Sequence, residues 1–400
     1  MLNRRTLLGS AALVAVAPVL RAHAEDAPGV TAGAIKLGNT NPHSGPASAY
    51  GAIANADTAY FNMINEQGGV NGRKIDFISL DDAYSPPKTV EQTRRLIEQD
   101  GVAFIFNGLG TPCQSAVRAY MNAHKVPQLF VATGADKWGD YAHFPWTMGW
   151  QPSYRTEAAI YAKYLLNEKP QSKIAVLYQN DDFGKDYLLG LKDGLGAKYG
   201  EMVVKEASYE TTDPTIDSQA VTLQSSGADV LVTAATPKWA AQTIRKIAEL
   251  NWKPLHFMTN VSVSVGAVIK PAGEQNAAGM ITGAYQKDPT DPKWANDAGM
   301  QEWLAFMKKY MPGADISDNN HTYGFGVSMT MEQVLKQCGN DLSRGNVMKQ
   351  AANLKDLDIP VLLPGIRINT SPTNFHPIRA MQLQRWTGKG WELFGSVISA

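Results

Sequence analysis

The chain has 400 residues, with 37 Lys+Arg against 37 Asp+Glu, 44% hydrophobic residues, 35 Gly, 22 Pro and 2 Cys. This is the composition of an ordinary globular protein, and it excludes a disordered chain, a collagen-like rod and a disulfide-stapled mini-fold. Balanced charge supplies no Lys/Arg footprint for a polyanion, so nucleic acid is not an expected partner. The length predicts about two or three domains.

Residues 1–24 read as an export signal. Arg4 and Arg5 precede the small and apolar run Thr6 to Leu20, and Ala22-His23-Ala24 offers the small residues a signal peptidase needs, predicting cleavage after Ala24. Adjacent arginines suit the twin-arginine route. Asn3 before them, and the lack of a Lys after Leu8, keep the general secretory route open. The apolar run falls short of the ~18 to 20 residues of a membrane anchor, and no later segment reads as a span. Cys113 and Cys338 could pair in an oxidising compartment, but nothing local sets their geometry, and they read as two buried thiols.

Beyond the signal, short strands alternate with helices. Ile35 to Asn39 predicts a buried strand, and Tyr50 to Glu66 a helix ended by Gly68-Gly69. Asn71-Gly72 predicts a turn before the β-branched and aromatic strand Lys74 to Leu80. Pro86-Pro87 opens another helix at the position where a missing N–H matters least, and Val102 to Phe106 reads as the next strand. The rhythm resumes after Gln151, with strands at Lys173 to Tyr178, Met202 to Ser208, Asp229 to Thr233 and Leu255 to Thr259. Two such series imply two α/β lobes, each a doubly wound parallel sheet covered on both faces. Ligands of such sheets bind at the carboxyl ends of strands, here the loops after Asn39, Phe106, Val131, Tyr178, Thr233 and Thr259.

Catalytic signatures fail. The seven His lie at least 19 positions apart, which leaves no two-histidine helical metal site. Gly108-Leu109-Gly110 begins like a dinucleotide fingerprint but has Cys113 where the third glycine belongs, and there is no Lys-Ser/Thr phosphate loop and no Gly-x-Ser-x-Gly elbow. Asp81-Asp82 and Asp181-Asp182 sit at strand ends, where adjacent residues face opposite sides; they read as helix caps or cleft walls rather than an acid/base couple. No metal, no cofactor and no enzymatic activity are expected.

Several motifs, in order, resemble one family. Ser44-Gly45-Pro46-Ala47-Ser48-Ala49-Tyr50-Gly51 is similar to the first-strand loop of the type I periplasmic solute-binding proteins, the branched-chain amino-acid receptor family of ABC importers. Asn65 to Arg73, Asp81-Asp82 with Pro87, Val126-Pro127-Gln128-Leu129, Tyr178 to Gly184 and Ser226-Gly227-Ala228-Asp229 follow with the family's spacing. The resemblance implies two lobes joined by three crossover segments that hinge shut on a ligand. Lobe 1 would hold residues 25–148 and 284–379, and lobe 2 residues 149–283 and 380–400. It further implies a periplasmic protein that captures a small-molecule solute and hands it to an ABC permease of the inner membrane, without itself spanning the membrane.

Site residues carry over by the same resemblance. Gly110 and Thr111 match the loop that holds a ligand carboxylate at a helix start, and Ala132-Thr133-Gly134 matches the second donor loop. Tyr50 and Phe183 match positions that pack on the ligand from the two lobes, while Trp150 and Tyr154 follow the first crossover; each aromatic could equally be core packing. Where amino-acid receptors of this family place an acid for the ligand ammonium, this chain has Asn260, and Thr236 stands where a second aromatic is usual. A buried ammonium without a counter-charge costs several kcal/mol, so a carboxylate, amide or aromatic acid is expected in preference to a simple amino acid, unless Asp181 or Asp182 serves as the acid. Branched-chain amino-acid binding, and a sensory role like that of amide and urea receptors, are the alternatives. An exported hydrolase or dehydrogenase lacks its motif.

Overall fold

The computed structural model describes residues 27–399. The export signal 1–24 and its cleavage site lie outside the described residues. Five parallel strands, β1 (Ala34–Asn41), β2 (Lys74–Asp81), β3 (Phe104–Phe106), β4 (Gln128–Val131) and β5 (Thr147–Gly149), form one sheet in the order β2-β1-β3-β4-β5. Seven strands form the other: β6 (Ile174–Gln179), β7 (Val203–Tyr209), β8 (Val230–Ala234), β9 (Leu255–Met258), β10 (Ile281–Ala284), β11 (Ala380–Trp386) and β12 (Trp391–Ser399), in the order β12-β11-β10-β9-β8-β6-β7. Strands β6 to β10 are parallel, whereas β11 and β12 pair antiparallel at the edge. The fold is therefore α/β with two mostly parallel sheets, one per lobe, and the antiparallel edge departs from the wholly parallel expectation.

Local chemistry explains the elements that aim at the site. Helix α1 (Gly51–Glu66) stops at Gly68-Gly69. Gly69 has φ 79°, and a Cβ there would lie 2.0 Å from the Arg73 carbonyl oxygen, so only glycine lets the chain fold back into β2. Asn71 and Gly72 adopt the positive φ values of a tight turn, closed by mutual Val70 and Arg73 hydrogen bonds. Helix α2 (Pro86–Arg94) begins on two prolines. Strand β3 starts at Phe104 rather than Val102, because the Val102 N–H is spent on the Leu96 carbonyl at the preceding helix end.

Helix α3 (Thr111–Ala123) starts from Gly110 at φ 96°. In lobe 2, α4 (Tyr154–Glu168) packs on α5 (Asp182–Leu195), whose first turn is capped by Asp181 accepting from the Phe183 and Gly184 N–H groups. Asp181 thus caps a helix, one of the two roles the sequence allowed it. Strands β3, β4, β8 and β10 are buried along their whole length, as sheets sandwiched between helices require. Cys113 and Cys338 are both buried free thiols. No described helix is long and apolar enough to cross a membrane.

Candidate functional site

A cavity lies between the lobes at the carboxyl ends of the strands. Its volume is about 60 Å³. Its wall includes Tyr50, Gly110, Thr111, Ala132, Thr133, Tyr154, Phe183, Thr236 and Asn260, nine of the positions singled out from sequence. The lobes touch around it. Tyr50 donates its hydroxyl to the Val261 carbonyl (3.1 Å), Gln179 donates to the Tyr84 hydroxyl (3.4 Å), Lys137 pairs with Asp182 (2.8 Å) and Ser264 donates to Asp318 (2.8 Å). The structure is a closed form.

Two expected residues are not brought to the cavity. Trp150 is fully buried in the core behind it, edge-on to Tyr285 and Tyr323, with its indole N–H given to the Thr330 hydroxyl (3.0 Å). Gly134 lies one residue beyond the lining loop. Its carbonyl accepts the Tyr154 N–H (2.7 Å), and a side chain there would strike the Pro152 carbonyl and the Tyr154 ring. Both residues support cleft tyrosines instead of facing a solute.

The lobe 1 wall is built to donate. Thr133 Oγ1 accepts from the Ala135 N–H (3.2 Å) and the Trp138 indole (3.3 Å) and lies 2.5 Å from Thr111 Oγ1. The two hydroxyls share one proton between them, either one donating, which leaves the pair one further O–H to offer an acceptor at the cavity. Thr111 also opens α3, so the helix-start dipole adds to the same pull on an anionic or carbonyl oxygen.

The apolar wall is aromatic. Tyr154 packs on Phe183 with ring centroids 4.7 Å apart and on Tyr187 at 5.6 Å. Thr236 is tied to Gln179 and Tyr209 (3.2 and 3.3 Å), so a small side chain held by neighbours occupies that corner.

The corner expected to lack an acid has one behind it. Glu157, in the first turn of α4, is fully buried and takes hydrogen bonds from the Tyr161 and Tyr187 hydroxyls and from both the backbone N–H (2.9 Å) and the side-chain amide of Asn260. Burial pushes its carboxyl up to about 7 despite those donors. Because both nitrogens of Asn260 point to Glu157, its carbonyl oxygen is what remains for the cavity. Asp181, half-buried at the start of α5 and outside the cavity lining, is pushed up to about 6 by burial. Glu157 was legible in one respect: it follows Tyr154 by three positions, the spacing that puts two side chains on one helical face.

Sequence reasoning also missed Tyr84, Gln151, Tyr285, Asp288 and Tyr323 on the wall. Asp288 lies in the loop after β10 (Ile281–Ala284), a strand the sequence analysis did not predict, and Tyr323 comes from a helix, Asn320–Cys338, outside the strand-end loops searched.

Two sheets hinged about a closed cavity with donors on one side and rings on the other define a solute-binding protein of the two-lobed type. A family profile for periplasmic binding proteins matches residues 34–390, and the chain belongs to that family, the type I periplasmic binding proteins of the branched-chain amino-acid receptor group. It is similar to an amino acid binding protein of Pseudomonas aeruginosa, 23% identical over 265 residues, which cover 64% of this chain and 68% of that protein. Among solved structures, it resembles a branched chain amino acid ABC transporter protein of Thermus thermophilus with bound valine (TM-score 0.82, 14% identity, 92% and 97% of the two chains). It also resembles a fatty acid ABC transporter substrate-binding protein of Thermomonospora curvata (TM-score 0.77, 20% identity, 94% and 95%). At these identities the structural likeness concerns the fold. The members of the family are periplasmic solute-binding proteins.

Proposed function

We propose that this protein is the solute-capturing component of an ABC importer, closing on a small organic molecule and presenting it to an inner-membrane permease, with no chemistry performed on it. The observation that carries this reading is the cavity shared by both lobes, walled by Thr111, Thr133 and Tyr50 from one and by Phe183, Thr236 and Asn260 from the other. Contacts supplied by both lobes exist only in the closed form, so bound solute draws the population toward it. We place the hinge at three chain crossings, near 148/149, 283/284 and 379/380.

The donors of Thr111 and Thr133 favour a solute with a carboxylate or amide head, and the rings of Tyr50, Tyr154 and Phe183 favour an apolar or aromatic body. Branched-chain amino acids form the second reading, favoured by Glu157 behind Asn260, which makes that corner more hospitable to an ammonium than Asn260 alone. A thermal-shift panel of amino acids, aliphatic acids, amides and aromatic acids on the mature protein tests the reading. A hit must compact the protein in small-angle scattering. A bound solute that leaves the envelope unchanged, or is turned over, overturns capture by closure.

A further inference from the structure

Two residues of the cavity wall, Asp288 and Tyr323, each carry a buried side-chain atom with no hydrogen-bond partner among the described residues: Asp288 Oδ2 and Tyr323 Oη. The other Asp288 oxygen is satisfied, accepting from the Thr290 N–H (2.8 Å) and hydroxyl (2.5 Å). Asp288 itself is only 5% exposed. A buried acceptor left without a donor costs free energy that natural folds rarely tolerate without a reason.

Among the described residues no lysine or arginine is seen to pair with that oxygen. Lys287 is the one basic residue on the cavity wall, and its ammonium is consumed by Asp297 (2.6 Å) and the Pro360 carbonyl (2.7 Å). Burial, and after it the charge of Asp291, holds the Asp288 carboxyl up at about 6, against the pull of its Thr290 hydrogen bonds. Asn319, Asn320 and Gln384 complete this part of the wall with neutral polar groups. Thr111 and Thr133 make a donating wall, whereas Asp288 makes an accepting one.

Building on the capture reading, we propose that Asp288 is a second solute-recognition point, which takes a hydrogen-bond-donating end group, an ammonium, hydroxyl or amide N–H, on a solute whose other end is the carboxylate or amide held by Thr111 and Thr133. The solute is then bifunctional, and Asp288 rejects molecules that present a second anionic end by like-charge repulsion and those that present an apolar end by leaving its oxygen unpaired.

The test uses the full mature protein and two matched series: valerate, 5-hydroxyvalerate and 5-aminovalerate, and benzoate, 4-hydroxybenzoate and 4-(aminomethyl)benzoate. Affinities are measured by calorimetry in the wild type and in Asp288→Asn. The expected result is that in at least one series a donor-ended member binds tenfold or more tighter than its parent acid. Asp288→Asn should erase most of the preference for the ammonium, with the parent acid binding no more weakly than to the wild type, and an unchanged far-ultraviolet dichroism shows that the variant is folded. A parent acid that binds as tightly as its donor-ended relatives, a preference that survives Asp288→Asn, or a panel in which no donor-ended member binds each overturns the assignment. Scattering on whichever complex forms keeps the two readings separate. Compaction with a parent acid alone leaves capture standing and removes Asp288, and binding without compaction removes capture.

Discussion

The Tyr50 hydroxyl of lobe 1 donates across the cleft to the Val261 carbonyl of lobe 2, 3.1 Å away, with the Ser262 hydroxyl at 3.4 Å. Tyr50 is 5% exposed and also lines the cavity, so one side chain both faces the solute and fastens the closed form. Tyr50→Phe keeps the ring and removes the fastening. It is expected to weaken solute binding by about 0.5–1.5 kcal/mol, and scattering should show more open protein at subsaturating solute. Unchanged affinity and compaction would show that the contact does not hold the lobes shut.

Gly110 separates β3 from α3 at φ 96°, and a Cβ there would lie 2.5 Å from the Tyr84 ring. Gly110→Ala must either move Tyr84, itself on the cavity wall, or tilt the start of α3. With ψ at 127° this backbone lies outside the left-handed helical region, and alanine there carries a strain of about 1–3 kcal/mol. Loss of solute binding by at least tenfold with a lowered melting midpoint is expected, and wild-type binding in calorimetry would refute the close approach.

Phe183 fills the cavity wall against Tyr154 from the first turn of α5. Phe183→Ala removes that apolar surface from the bound state and should weaken binding by about 1–3 kcal/mol, with the far-ultraviolet dichroism unchanged. An affinity equal to the wild type would place the solute elsewhere.

Glu157 carries a pH prediction. Its ordinary value is 4.5, and burial raises it to about 7 in the folded protein. Between those values the native state holds a proton that the unfolded chain has released, so its contribution makes stability fall as pH rises, by up to about 1.4 kcal/mol per pH unit. Asp186, raised to about 7, and Asp57, raised to about 8, both by burial, act in the same direction. The melting midpoint should decline from pH 5 to pH 7.5, and Glu157→Gln should flatten the decline. A midpoint that rises over that range would contradict a protonated buried Glu157.

Trp150→Phe tests the reassignment of that residue to the core. Losing the bond to Thr330 and part of the packing against Tyr323 should lower stability by about 1–3 kcal/mol. Its effect on solute affinity should be smaller than that of Phe183→Ala, and the reverse order would return Trp150 to the solute's wall.

Strands β1 to β3 and β6 to β9 could be read from the sequence because most are short runs rich in apolar and β-branched residues, some bounded by turn chemistry such as Asn71-Gly72 or Pro86-Pro87. The edge pair β11 and β12 was placed with lobe 2 only through the family resemblance. Its antiparallel pairing depends on β10, some hundred residues earlier, which no local pattern announces. At the cavity, the loops after β3 and β4 were legible as carboxyl ends of parallel strands, whereas Thr111 and Thr133 within them were singled out through the family resemblance, and both line the cavity. Trp150 and Tyr154 looked alike as aromatics after the first crossover, yet one turned inward to the core and the other toward the cavity.

The amino-acid sequence by itself determined the α/β class, the two strand–helix series and the strand-end loops, since periodicity and turn residues act between near neighbours. Only the tertiary structure decided which acids lie at the cleft. Glu157 reaches Asn260 across 103 positions, and Asp288 Oδ2 finds no donor among the described residues around it, although Thr290 satisfies the other oxygen. Electrostatic environment is a property of space, and a buried charge is defined by groups the chain brings near it only on folding.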